Sequence, residues 1–198
     1  MVKRLARYYA RAINVLVVCS ANICRSRIAE VRLRKELAER SVPASVSSAG
    51  TLAGRREVPP QVKELLGKTD ARLSEPGRQV ELGDLEEADL VICLAREHLR
   101  ELVVLSPGCW EKTATLCELV RRGSAVGPRT VWEEPSEWLR RVLRGREMRS
   151  MVGESPVDDI ADPYGGSLAD YRRADREITG LVHQLADLIW PRALLESR

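Results

Sequence analysis

The chain has 198 residues, 44% of them apolar and 31% charged, and a formal net charge of +3. This excludes a disordered chain and suits one globular domain with a full core, while no apolar run nears the ~18 residues that cross a bilayer. Five cysteines, with His98 and His183 far from any close cysteine pair, form neither an extracellular disulfide framework nor a zinc site, and so small a charge excess does not call for nucleic acid. The expectation is a cytoplasmic protein with no membrane, nucleic-acid or metal partner.

Residues 1–12 read as a basic arm and 13–198 as the domain. Ile13 to Cys19 is a run apolar but for Asn14 and rich in Val, as in a strand covered on both faces. From Ser26 to Glu39, Ile28, Ala29, Val31, Leu33 and Leu37 recur among charges in a helical pattern, with Ser26 as its expected cap. A second strand fits Ala44–Ser48, and a short helix Pro59–Leu66. Asp89–Leu94 predicts another buried strand, Glu97–Leu105 and Thr115–Arg122 two more helices. Tyr171, Ala174, Ile178, Leu181, Leu185 and Leu188 recur at three or four residues and predict a long helix stopping near Trp190-Pro191. Strands alternating with helices argue for a parallel α/β sheet covered on both sides, with chemistry beyond the strands' carboxyl ends. Cys19 stands at such an end.

The segment Cys19-Ser20-Ala21-Asn22-Ile23-Cys24-Arg25-Ser26 places a thiol, an arginine six residues on and a helix start around one small volume. A strand-to-helix loop can turn successive backbone N–H groups inward, and the helix start adds unpaired donors and its dipole. A dianionic phosphate then sits on the backbone while Arg25 clamps two of its oxygens with a planar fork. The same field stabilises a sulfur anion at Cys19, to which Ser26 can donate a hydrogen bond, while Asn22 can lock the loop. No nucleotide-binding Gly-x-x-x-x-Gly-Lys-Ser/Thr loop and no Gly-x-Gly-x-x-Gly fingerprint is present. Cys24 either packs beneath the loop or forms a reversible disulfide with Cys19 that shelters it from deeper oxidation.

A cysteinyl-phosphate route needs an acid for the departing oxygen and then a base for water. Asp158, Asp159 and Asp162 are candidates; Pro163 stiffens the loop at Asp162, and Gly165 and Gly166 permit a sharp turn into the last helix. Asp158 and Asp159 are read as loop-shaping, and Tyr164 as an entrance residue able to stack on an aryl group.

These segments resemble the low-molecular-weight protein-tyrosine phosphatase family, whose loop V-C-x-G-N-x-C-R-S is met from Val18 to Ser26 in all but one defined place. Ala29-Glu30, Ser48-Ala49-Gly50-Thr51, Asp89-Leu90-Val91-Ile92-Cys93 and Asp162-Pro163-Tyr164-Gly165-Gly166-Ser167 extend it. The resemblance implies a three-layer α/β/α fold with a central four-stranded parallel sheet and a phosphate-binding loop after the first strand. It implies Cys19 as nucleophile, Arg25 as phosphate clamp and Asp162 as acid then base, without a cofactor. Related protein-arginine phosphatases carry threonine where this chain has Ile23, so phosphotyrosine on a protein is the favoured substrate. Arsenate reductases of the same fold use a later cysteine pair in a redox segment absent here, and Cys93, Cys109 and Cys117 are read as packing residues. The chain departs from the pattern at Ala21, usually glycine, and at Arg27, usually proline. It also lacks a histidine around Ser74–Gln79.

Between about 123 and 157 the chain holds an insertion atypical of that family. Trp138 pairs with Val142 and Leu139 with Leu143 at helical spacing after a possible cap at Ser136, and Arg140, Arg141, Arg144, Arg146 and Arg149 make another side basic. The segment reads either as a mobile flap recruiting acidic substrate segments or as a helix packed by Trp132 and Trp138 with a solvated arginine face.

Overall fold

The computed structural model describes residues 12–67 and 70–192, so the expected basic arm, Ala12 apart, lies outside the described residues. Four strands, β1 (Ile13–Cys19), β2 (Ala44–Gly50), β3 (Leu90–Cys93) and β4 (Thr113–Thr115), form one sheet in the order β2-β1-β3-β4, every pairing parallel. The helices are α1 (Arg25–Glu39), α2 (Pro60–Leu66), α3 (Leu82–Glu87), α4 (Arg96–Leu105), α5 (Leu116–Val126), α6 (Pro135–Val142) and α7 (Leu168–Ile189). Period-two alternation sends Val15, Val17 and Cys19 to one face of β1 and Leu16 and Val18 to the other. The first face packs under α1, α5, α6 and α7; the second under α3 and α4. This is the expected three-layer α/β/α architecture.

Two local expectations need correction. The chain from Thr113 to Thr115 is a strand, and Thr115 is the N-cap of α5, its hydroxyl accepting from Glu118 N–H. Three residues are too few for a period to show. Ser26 does not cap α1. The helix begins a residue earlier, Cys24 is its N-cap without a side-chain bond, and the Ser26 hydroxyl turns into the preceding loop. In α7 the periodic stripe holds, with Val182 and Ile189 buried more fully than their neighbours Leu181 and Leu188.

The segment expected to be an insertion is built into the core. In α6, Trp138 is fully buried and lies against Gly123 of α5, where a Cβ would stand only 2.9 Å from the indole. Its indole N–H donates to the Gly127 carbonyl at 3.0 Å. The N-cap is Glu134, paired with Glu137 in a capping box, rather than Ser136. Trp132 is 66% exposed and contributes no packing of the expected kind. The arginines do not share one solvated face: Arg141 pairs with Glu133, and Arg146 is buried over the Trp110 ring with bonds to Glu118 and the Thr113 carbonyl.

Candidate active site

β1 pairs with β2 on one side and β3 on the other, so the chain leaves Cys19 at the point where the sheet order reverses. The loop from Ser20 to Cys24 fills that crevice, and α1 starts at once behind it. Among the described residues, no backbone N–H from Ser20 to Ser26 donates to a protein acceptor. Buried amides are normally paired, so a run of unengaged donors at a helix start marks an anion site.

The loop shape rests on Asn22, fully buried and left-handed at φ 56°. Asparagine tolerates that region because its side chain can bond locally. Its amide donates to Ser26 Oγ at 2.9 Å and Ser48 Oγ at 2.7 Å, and its Oδ1 accepts from Arg78 N–H at 3.1 Å. Ser48 in turn donates to Glu30 at 2.5 Å, and Glu30 takes Arg72 at 2.6 Å. Ala21 keeps an ordinary backbone, so its Cβ carries no left-handed strain. The close approaches fall to glycines on neighbouring segments: a Cβ on Gly50 would lie 2.4 Å from the Ser20 carbonyl, one on Gly77 2.3 Å from that of Ala21.

Cys19 is 3% exposed, and its sulfur is 3.0 Å from Ser26 Oγ. Arg25 is buried behind it. One Nη donates to the Ile160 carbonyl at 3.1 Å; the other reaches Asp162 Oδ2 at 2.7 Å and Ser20 Oγ at 3.3 Å. Its Nε is buried with no partner among the described residues. Ile160 N–H binds the Leu94 carbonyl at 2.9 Å, which fastens the acid loop to the end of β3. Asp158 takes Arg96 and Arg121, and Asp159 accepts from the backbone of Arg96 and Ser155, so both shape the loop. Asp162 is left half-exposed, and Tyr164 beside it is 54% exposed. Thus Asp162, far along the chain, is brought onto the guanidinium of Arg25, which follows Cys19 by six residues in the same loop.

Cys24 is buried beneath the loop; burial first, then the charge of Asp162, pushes its thiol up to about 12. Ile23 is also buried and faces Gly77. His98, which carries no ligand pattern in the sequence, is completely buried, its Nε2 3.0 Å from Ser20 Oγ and 3.1 Å from Glu97, its Nδ1 without a partner among the described residues. Burial, with Arg25 and Arg100 adding to it, lowers its pKa to about 3, so the ring is neutral. The signal was positional: His98 opens the helix after β3, and β3 adjoins the strand that carries Cys19. His183 is a half-exposed helix residue beside Glu36 and Asp187.

This loop-and-acid arrangement coincides with a family match. The description "Low molecular weight phosphotyrosine protein phosphatase" matches residues 14–126. The chain belongs to that family. It is 26% identical over 176 residues to a protein-arginine-phosphatase of Bacillus subtilis (strain 168), covering 87% of this chain and 94% of the relative. It is 31% identical to the human low molecular weight phosphotyrosine protein phosphatase over 93 residues, 45% of this chain and 59% of the relative. A solved low molecular weight protein tyrosine phosphatase from T. tengcongensis superposes with a TM-score of 0.65 at 26% identity, covering 89% of this chain and 99% of the other. At family level the chain is a cysteine-dependent phosphatase; tyrosine- and arginine-directed members both stand among its relatives.

Proposed function

We propose that the protein hydrolyses phosphoprotein monoesters through a cysteinyl-phosphate, with phosphotyrosine as the preferred substrate. The observation that carries this reading is the run of unengaged amides that follows Cys19, ending at an arginine whose Nε is buried without a partner among the described residues and whose Nη holds the Asp162 carboxylate. The phosphoryl group sits on the amides of Ser20 to Ser26 while Arg25 exchanges Asp162 for two phosphoryl oxygens. The Cys19 sulfur attacks phosphorus in line, and Asp162 gives its proton to the departing oxygen. In the second step Asp162 takes a proton from water, the water oxygen attacks phosphorus, and the thiolate leaves toward the Ser26 hydroxyl. Developing charge on the oxygens meets donors already in place, the largest usual contribution in such reactions.

The substrate preference rests on Ile23, which offers no hydroxyl to a guanidinium, and on Tyr164, an exposed ring two residues from the acid. One observation favours a second reading, phosphoarginine: the curated arginine-directed relative from Bacillus subtilis aligns over 94% of its length and the human tyrosine-directed one over 59% of its own, while the solved T. tengcongensis tyrosine phosphatase is matched over 99% of its chain. The arsenate-reductase alternative draws no support from the remaining thiols. Cys93 and Cys109 are buried, and burial pushes the thiols of Cys93 and Cys117 up, which suppresses the thiolates a relay would use. A reversible Cys19–Cys24 disulfide remains part of the proposal. A peroxide oxidises the Cys19 thiolate to a sulfenic acid and is itself reduced to water or an alcohol. The sulfenic acid then condenses with the Cys24 thiol and releases water.

The test is hydrolysis of p-nitrophenyl phosphate at mildly acidic pH, with Cys19→Ser as control, followed by phosphotyrosine, phosphoserine and phosphoarginine peptides. Turnover lost in Cys19→Ser and a phosphotyrosine preference are expected. Turnover that survives in Cys19→Ser ends the cysteinyl-phosphate reading; a phosphoarginine preference replaces the substrate assignment.

A further inference from the structure

Arg27 stands where proline is usual in the resembling family, and the structure gives it work that proline cannot do. It is the third residue of α1, yet its side chain is 5% exposed because it folds back over the loop. Its Nε donates to the Asn22 carbonyl at 3.1 Å. One Nη donates to the carbonyls of Pro76 at 3.0 Å and Glu75 at 3.5 Å, and the other lies 3.7 Å from the Glu30 carboxylate. The planar fork therefore joins the loop to the Glu75–Gly77 segment, and Gly77 itself presses on the Ala21 carbonyl and the Ile23 side chain.

We propose that Arg27 is a positioning residue of the phosphate cradle, which holds the Asn22 carbonyl outward and so aims the Ile23 amide at the phosphoryl group. Within a trans peptide the C=O and N–H point in opposite directions across a rigid plane. No cis peptide occurs among the described residues. With the Asn22 oxygen tied to Arg27, the Ile23 N–H faces the opposite side, and it has no protein acceptor there. Without that tie the buried carbonyl loses a charge-assisted bond. The peptide between Asn22 and Ile23 is then free to flip, which would turn an oxygen toward the anion. Glu75 and Pro76, held by the same guanidinium, and Gly77 next to them form the wall that keeps the loop from moving outward.

This inference rests on the phosphatase reading, since it concerns how the same loop meets phosphate. The test compares wild type with Arg27→Lys, which keeps the charge but loses the fork. Inorganic phosphate affinity is measured by titration and by competitive inhibition of p-nitrophenyl phosphate hydrolysis, at a temperature where circular dichroism shows each protein native. Phosphate binding about tenfold or more weaker is expected, the factor for one lost charge-assisted hydrogen bond, with an equal fall in kcat/KM. The Ile23 amide proton is expected to move downfield on phosphate addition in wild type and to move less in the variant. Should Arg27→Lys not fold, Arg27→Gln is measured in the same way. A lowered melting temperature with phosphate affinity and the Ile23 shift unchanged makes Arg27 structural only and overturns the proposal. Wild type that neither binds phosphate nor hydrolyses the ester overturns the phosphatase reading as well.

Discussion

Asp162 is half-exposed and bonded to Arg25, so it can swing between guanidinium and leaving group without crossing a packed core. Asp162→Ala is expected to slow alkyl or unactivated aryl phosphates by about 10²–10⁴-fold, the usual range for a lost general acid, and p-nitrophenyl phosphate far less. A uniform small loss, seen in a leaving-group series, removes Asp162 from the acid role. His98 gives a prediction of another kind. The folded ring stays neutral down to about 3 while the unfolded chain protonates near 6.5. Between those values the unfolded state binds more protons, so stability falls as pH drops from 6.5 toward 3. His98→Asn should flatten the melting temperature against pH across that window; an unchanged slope refutes the assignment. Cys19, Arg25 and Asp162 were legible because spacing relative to a strand end carries chemical meaning. Arg27 and His98 were not, because nothing local announces that a charged or titratable side chain turns inward.

At the scale of elements, strong periodicity survived and short pieces did not. α1 and α7 bury the stripes their sequences display, whereas β4, three residues long, and α3, six, leave too little pattern to read. The pair at 138 and 142 was legible as a helix, but its burial against α5 depends on Gly123, fifteen residues earlier, which local spacing cannot pair with an indole. Trp138→Ala should destabilise the fold by ~3–5 kcal/mol, the usual cost of truncating a buried large aromatic. Denaturant unfolding checks this, and a loss below ~1 kcal/mol would mean α6 is not part of the cooperative core. Removing residues 128–150 consequently should cost stability before it alters substrate choice. Equal proportional losses on a small aryl phosphate and an acidic phosphopeptide are expected, and a selective loss on the peptide would revive the recruiting role.

Over the whole molecule, the order β2-β1-β3-β4 brings the Cys19 loop from near the start of the chain beneath an acid loop from its last fifth. Topology of this kind was predictable from alternating elements, because parallel strands require helical crossovers and ligands collect at the reversal point. The substrate was not, since two directed classes share the loop and differ in what surrounds it. The unengaged amide cradle has one further consequence, for how the protein is handled. It selects tetrahedral oxyanions by shape and charge, so sulfate, arsenate or tungstate should compete with any ester and raise the melting point as they bind. Protein purified in a phosphate buffer would therefore look both sturdier and more sluggish than the same preparation in a zwitterionic one.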